Sequence, residues 1–449
     1  MIKKVLIANR GEIVSRIIRT CNKLGIQSVA IYSEADEHAP YVKMADERYL
    51  IGPSRVNESY LNVNKILSIA KKANVDAIHP GYGFLSESDL FAKACEDAGF
   101  IFIGPSPSVI KQMGDKIAAR KLMRKIGVPV IPGTEEPLSN VEDALEVAKT
   151  IGYPVMLKAA SGGGGIGLQI ANDEHELMEA FDSNSKRAEQ FFGNGSMFIE
   201  KLLQNVRHIE IQILADHFGN VVHLFERECS IQRRNQKVVE EAPSSFVFET
   251  LRKEMGETSV KAAKSISYTN AGTIEYLVDE HGDFYFLEMN TRIQVEHPVT
   301  EEITGIDIVE QQISIAEGNE LSVEQNSLNI NGHSIEVRVY AEDPIRFLPS
   351  PGKITNYQAP IGSSIRIEST VVNGSVVSPF YDPMISKLIV NGKTREEAIT
   401  RIKEALKEYR IEGIKTNIPL LQKVVKHEEF KTGNTTTDFI NRNLTTVIK

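Results

Sequence analysis

FYFLEMNTRIQVEH, Phe284 to His297, is the stretch whose pattern organises the centre of this chain. Its even positions Glu288, Asn290, Arg292, Gln294 and Glu296 are polar; its odd positions Leu287, Met289, Ile293 and Val295 are apolar, with Thr291 the exception. A period of two predicts an extended strand, in which these five polar side chains share one face, successive ones roughly 6–7 Å apart. Phe284 and Phe286 have the same parity, so that face begins apolar and is expected to be covered. Two carboxylates, two carboxamides and a guanidinium on a covered face need partners that satisfy them. Glu288 and Asn290 are hard oxygen donors suited to Mg²⁺. Arg292 can bind a small planar anion with its fork of donors, and Glu296 is a candidate base at the edge of the site.

Around this stretch, HIEIQILA (208–215), NVVHLFE (220–226) and GTIEYLV (272–278) also alternate and predict an antiparallel sheet that includes DFYFLEMN (283–290). Upstream, a strand predicted over Tyr153–Ala160 runs into KAASGGGGIG (158–167). Four consecutive glycines let backbone amides approach an anion without Cβ obstruction, and Lys158 adds a charge. No Lys-Ser or Lys-Thr closes the loop, so it is not a Walker A sequence. Ahead of that strand lie a helix (Lys116–Gly127), the turn-rich VPVIPGTEEP and a further helix.

The first hundred residues alternate strand and helix: VLIAN, a helix ending at Gly25, SVAIY, a helix through Ile66–Ala70, DAIH, a helix around Phe91–Ala98, and FIFIG. This order predicts a parallel sheet with helices on both faces. The loop HPGYGFLSES (79–88) follows DAIH, at the end of a strand where such sheets place ligands. The first turn, NRGEIVSR, lacks GxGxxG, which argues against a dinucleotide there. After a helical stretch Asp307–Gly318, a third region begins near Ser327 with strands at HSIEVRVYAE and GKITNYQAP and a helix over Thr394–Tyr409.

The 449 residues call for two or three domains. A net charge of −9 argues against a nucleic-acid binder. Three widely spaced cysteines, Cys21, Cys95 and Cys229, fit neither a disulfide framework nor a zinc site and suggest a reducing compartment. The apolar run after Met1 is too short for a signal core, and no apolar stretch approaches a membrane span, so a cytoplasmic enzyme is expected.

The strings IANRGEI, HPGYGFLSE, FIGP, MGDK, KAASGGGG, RHIEIQ, ECSIQRRNQKVVEEAP and EMNTRIQVEHPVTE resemble those of biotin carboxylases in order and spacing. RVYAEDP, FLPSPGKI, YDPMISKL and GIKTN extend the resemblance to Asn417. It implies a multi-domain α/β and α+β chain: an N-terminal doubly wound parallel sheet (1–114), a central ATP-grasp domain (115–326, with a mobile lid about 131–203) and a C-terminal mixed domain (327–449). It further implies that Lys116 and Lys158 contact ATP phosphates beneath Gly164 and Gly165. Glu200, Lys201 and Leu203 would form the adenine hinge, and His208, Gln232 and Asn235 would complete the nucleotide site. Glu275, Glu288 and Asn290 would hold Mg²⁺ or Mn²⁺. Lys237, Arg292, Gln294 and the Val295 backbone would bind bicarbonate. Glu296 would deprotonate it, and Arg338 would steady charge on the biotin ureido oxygen.

The implied reaction is carboxylation of biotin through carboxyphosphate, the first half-reaction of an acyl-CoA carboxylase. The implied partners are a biotin carboxyl carrier protein, carboxyltransferase subunits and a second copy of the chain. A separate carrier is expected because no Met-Lys-Met triplet occurs and only about thirty residues follow GIKTN, too few for a carrier domain. Two positions depart from the family pattern. Ile166 replaces a basic lid residue, which is expected to weaken ATP binding, and Asn235 stands where many members have histidine. Another ATP-grasp ligase would share Lys158, Glu275 and Glu288 but not RIQVEHPVTE with the distal RVYAEDP. A silent nucleotide-binding module would not need Lys237, Arg292, Glu296 and Arg338 together.

Overall fold

The computed structural model describes residues 1–134, 136–138, 140–159, 168–192 and 195–444, the side chains of 191 and 192 excepted. The expectations for Gly164, Gly165 and Ile166 fall outside them. The chain forms two compact units: Met1–Lys111, Arg207–Ile274 and Met289–Lys449 make the first, and Gln112–Val206 with Glu275–Glu288 the second.

The first unit opens with the expected parallel sheet. Its strands are β1 (Lys4–Ile7), β2 (Gln27–Ser33), β3 (Glu47–Gly52), β4 (Ala77–His79) and β5 (Ile101–Phe102), in the order β3-β2-β1-β4-β5. Alternate residues of β1 serve opposite faces: Val5 and Ile7 pack with Ile13, Val14 and Ile17, while Leu6 pairs its face with Ile66, Ala70 and Phe91. The helix Glu12–Leu24 ends, as anticipated, at a left-handed Gly25 (φ 71°), whose N–H returns to Asn22 O. Strand β3 was not anticipated: it is an edge strand in which only Ile51 is buried, and Glu47 and Arg48 at its start obscure its apolar residues.

Strand order reverses between β1 and β4, so the loops after both strands open at the switch point where ligands bind in such sheets. The Asn9 amide joins the two loops, donating to Pro80 O at 2.7 Å and Tyr82 O at 2.8 Å. The Tyr82 hydroxyl donates to the Glu12 carboxylate.

The second unit centres on an antiparallel sheet of β6 (Val155–Ala159), β7 (Leu168–Ala171) and β8 (Met197–Lys201), ordered β7-β6-β8. Val155, Leu157 and Ile199 bury one face against Ala144 and Ala148 of the helix Val141–Ile151 and Leu177 of the helix Glu174–Phe192. The strand starts at Val155 rather than Tyr153, since Pro154 has no N–H to offer a ladder.

The chain continues with β9 (Arg207–Ala215), β10 (Val221–Arg233), β11 (Gln236–Ala242), β12 (Asn270–Val278), β13 (Phe284–Asn290) and β14 (His333–Tyr340). Six more strands follow: β15 (Gly352–Lys353), β16 (Asn356–Gln358), β17 (Ile365–Ser369), β18 (Val376–Val377), β19 (Met384–Gly392) and β20 (Arg410–Glu412). The large sheet has the order β13-β12-β9-β10-β11-β14-β19-β17, and the chain passes from one unit into the other within β12 and within β13. GKITNYQAP, expected as one strand, is two: β15 pairs with β18 and β16 with β20. Between them Ile354 N bonds Ser375 O and Thr355 N bonds Glu412 O, handing the chain from one partner to the other. The helix Arg395–Glu408 matches expectation and is capped by Thr394.

Candidate functional site

The polar series of Phe284–His297 does not stay on one strand face. Strand β13 ends at Asn290, and residues 291–296 turn into the helix His297–Thr304, which Pro298 opens. The turn divides the series. Arg292 stays beside Asn290 and Gln294, donating to Asn290 Oδ1 at 2.9 Å and Gln294 Oε1 at 3.0 Å. Glu296 is carried to a different set of partners and is fully buried.

Those partners come from distant strands. Glu296 Oε1 accepts from Lys237 Nζ on β11 at 2.6 Å, and Oε2 from Arg338 Nη2 on β14 at 2.8 Å. Lys237 also bonds Glu210 Oε2 on β9 at 2.5 Å, and Arg338 Nε lies 2.6 Å from Glu240 Oε1 on β11. Charges therefore alternate along Glu210, Lys237, Glu296, Arg338 and Glu240. Arg227, fully buried, fixes the far side of Glu210 at 2.5 Å and reaches Gln212, Thr273 and Thr300 with its other nitrogens. Glu210, Cys229 and Glu296 bring potential ligand atoms within 4.8 Å of one another. Lys237 bonds both carboxylates, so the group is already balanced by an ammonium.

Burial by itself would raise the Glu296 pKa, but Lys237, Arg338 and Arg227 outweigh it and hold the carboxyl well below the usual range. Glu240 goes the other way: burial lifts it above its ordinary value against the pull of Arg338. Glu336, its cross-strand partner, is likewise raised by burial.

Glu210, Arg227, Glu240 and Glu87 were not anticipated from the sequence. Glu210 had a readable signal, because His208, Glu210 and Gln212 alternate with isoleucines on a strand buried at all nine positions. Glu87 lies in the flagged loop HPGYGFLSES and accepts from Arg292 Nε at 2.9 Å. His208 Nδ1 faces Gln232 Nε2 at 2.9 Å. Asn235 acquires a local explanation: with Arg234 it forms the two-residue turn between β10 and β11, and both have positive φ (62° and 51°), a conformation asparagine tolerates well.

The second unit contains the other candidates. Lys158 on β6 pairs with the carboxylate of Glu200 on β8, whose other oxygen meets Arg120 Nη1 at 2.7 Å. Lys201 turns its ammonium to Gly152 O and Tyr153 O at 3.0 and 2.9 Å, while its backbone N–H bonds Pro132 O. It thus braces the strand that leads to Leu203. Glu275 is buried on β12. Glu288, about a third exposed on β13, lies 3.5 Å from Lys116 Nζ. Glu275 and Glu288, both in this unit, offer hard oxygens, and the long contact to Lys116 leaves Glu288 able to exchange partners, a donor chemistry suited to Mg²⁺ or Mn²⁺.

Three family models match the chain in succession: "Biotin carboxylase, N-terminal domain" over residues 1–110, "Carbamoyl-phosphate synthase L chain, ATP binding domain" over 115–324, and "Biotin carboxylase C-terminal domain" over 336–442. Biotin carboxylase 2 of Bacillus subtilis (strain 168) is 60% identical over 444 residues, covering 99% of this chain and 100% of that protein. The biotin carboxylase–beta-gamma-ATP complex of Campylobacter jejuni superposes with a TM-score of 0.96 at 48% identity, covering 99% of both chains. The biotin carboxylase domain dimer of Hydrogenobacter thermophilus 2-oxoglutarate carboxylase, solved with MgADP, ADP and bicarbonate, gives 0.94 at 50% identity over 98% of each.

Proposed function

This chain belongs to the biotin carboxylase family, and from that premise we propose which of its residues carry each step. The reaction is ATP-dependent carboxylation of biotin with bicarbonate, and ATP and Mg²⁺ are its cofactors. The observation that carries the residue assignment is the buried Glu296 carboxylate held between Lys237 and Arg338.

Bicarbonate is a poor electrophile, and transfer of the ATP γ-phosphoryl group to it makes carboxyphosphate. Arg292, Gln294, Lys237 and the Val295 N–H would bind the bicarbonate, and Glu296 would take its proton. At rest Glu296 is a weak base because two cations neutralise it. Substrate anions that draw Lys237 and Arg338 toward themselves would raise its proton affinity at the moment a base is needed. Carboxyphosphate then splits to CO₂ and phosphate. Phosphate accepts the biotin N1′ proton as that nitrogen attacks CO₂, and Arg338 would stabilise the charge on the ureido oxygen.

Lys116, Lys158, Glu200, Lys201, Leu203, His208, Gln232 and Asn235 are our candidates for holding ATP, with Gly164 and Gly165 covering it. Glu275, Glu288 and Asn290 would hold the metal, whose charge offsets that of the transferring phosphoryl group. We assign these roles to the regions 1–114, 115–326 (lid about 131–203) and 327–449. The partners we propose are a biotinylated carrier protein, carboxyltransferase subunits that choose an acyl-CoA acceptor, and a second copy of the chain, in the cytoplasm. Among the described residues no helix is long and apolar enough to cross a membrane.

Phosphate release from ATP tests the assignment to carboxyphosphate chemistry. Release should require bicarbonate and Mg²⁺ or Mn²⁺, stop on chelation, and accelerate with free biotin. Equal turnover without bicarbonate would overturn it.

A further inference from the structure

Residues 291–296 belong to no strand, yet they carry Arg292, Gln294 and Glu296. Besides the backbone bonds from His297 N to Gln294 O and from Val299 N to Glu296 O, both 3.3 Å, side chains hold their backbone. Arg292 Nη1 donates to Ile293 O at 3.2 Å. His297 Nδ1 lies 2.8 Å from Gln294 O, and Lys387 Nζ on β19 donates to Val295 O at 2.6 Å.

We propose that His297 and Lys387 are positioning residues for bicarbonate, fixing from outside the two peptide planes that flank Val295. The inference rests on the reading of Val295 and Glu296 given above. Each peptide is planar, so holding its carbonyl also aims its N–H. The Gln294 carbonyl shares a plane with the Val295 N–H, the donor assigned to bicarbonate. The Val295 carbonyl shares a plane with the Glu296 N–H and sets where the Glu296 side chain departs.

Both residues are placed at a cost that packing does not explain. Lys387 has no exposed surface, and a buried ammonium is unfavourable unless paired. Its counterion is Glu12 Oε1 at 3.0 Å, the carboxylate that also accepts from Tyr82. The Val295 carbonyl is thus tied, through Lys387 and Glu12, to the loop at the switch point of the parallel sheet. His297 is fully buried, and burial together with Lys387, Arg16 and Arg366 pushes its pKa well down, so the ring is neutral. A carbonyl only accepts, so the single ring proton sits on Nδ1.

The test compares KM for bicarbonate with KM for ATP in bicarbonate-dependent phosphate release, alongside thermal melts. Lys387→Met and His297→Leu should raise the bicarbonate KM about 10–100-fold, the scale of a small misplacement of reacting groups, with the ATP KM within about twofold. His297→Asn, whose amide can replace the Nδ1 donor, should restore a near-normal bicarbonate KM. Arg395→Gln is the control: it breaks a buried ion pair with Glu241 outside this site and should lower the melting temperature without separating the two KM values. If Lys387→Met does not fold, Glu12→Gln/Lys387→Met, which removes both buried charges, is judged by the same numbers, and the His297 pair decides independently. A folded Lys387→Met with an unchanged bicarbonate KM, or His297→Asn as impaired as His297→Leu, overturns the inference. Glu296→Gln, assayed in parallel, separates the two readings: if it keeps its turnover, the underlying site assignment is the one that fails.

Discussion

Replacing Glu296 by glutamine removes the carboxylate on which Lys237 and Arg338 converge, and its consequences can be worked from the geometry. Both oxygens accept charge-assisted hydrogen bonds, at 2.6 and 2.8 Å. The amide keeps one acceptor and points an N–H₂ group at the other cation. Stripping a buried ion of its only partner typically costs about 3–5 kcal/mol. Here each cation retains a second carboxylate, Glu210 for Lys237 at 2.5 Å and Glu240 for Arg338 at 2.6 Å. The stability loss should therefore be smaller, about 1–3 kcal/mol, which leaves a protein of ordinary stability, roughly 5–15 kcal/mol, folded. Loss of a general base lowers the rate about 10²–10⁴-fold, far more than the small unfolded fraction explains. The assay is bicarbonate-dependent phosphate release and carboxylation of free biotin, with ATP affinity by calorimetry as the check on the nucleotide site. ATP binding should persist while both activities fall by at least a hundredfold. Turnover within tenfold of the unaltered protein would place the base elsewhere.

Two further outcomes follow from the same charges. Arg338→Ala should spare bicarbonate-dependent ATP cleavage and impair carboxyl transfer to biotin; equal loss of both in a coupled assay would contradict separate roles. Burial pushes the Glu228 carboxyl up from 4.5 to about 7, against the pull of Arg207 and the hydroxyls of Ser230 and Ser244. Its folded value exceeds its unfolded one, so its contribution to stability is complete below about pH 4.5 and is lost as pH rises through 7. At full effect this amounts to about 3 kcal/mol. Denaturant titrations of Glu228→Gln and the unaltered protein at pH 5 and pH 8 should show the difference shifting in the mutant's favour at the higher pH, and a difference independent of pH would refute this.

Local periodicity made much of the fold legible. The β–α alternation of the first hundred residues predicted the parallel sheet, because each buried strand and amphipathic helix declares itself within about ten residues. Gly25 marked a helix end for the same reason. Edge elements were harder. Strand β3 buries only Ile51, and β15 and β16 owe their separation to partners more than twenty residues away, Val376–Val377 and Arg410–Glu412.

The residue types of the site were readable too: alternation at Phe284–His297 identified Asn290, Arg292, Gln294 and Glu296 as polar groups that need partners. What the sequence by itself could not determine is which partners. A straight strand would have kept Glu296 in line with Arg292, and the turn after Asn290 sends it to Lys237, 59 positions away, and Arg338, 42 away. Glu210, Glu240 and Lys387 enter the same assembly from β9, β11 and β19. Strand pairing sets those encounters, through sheet register and the packing of the helix His297–Thr304 against it. Periodicity reports only which side of its own element a side chain occupies, whereas a buried charge is defined by what lies opposite, and that was decided by the tertiary structure alone.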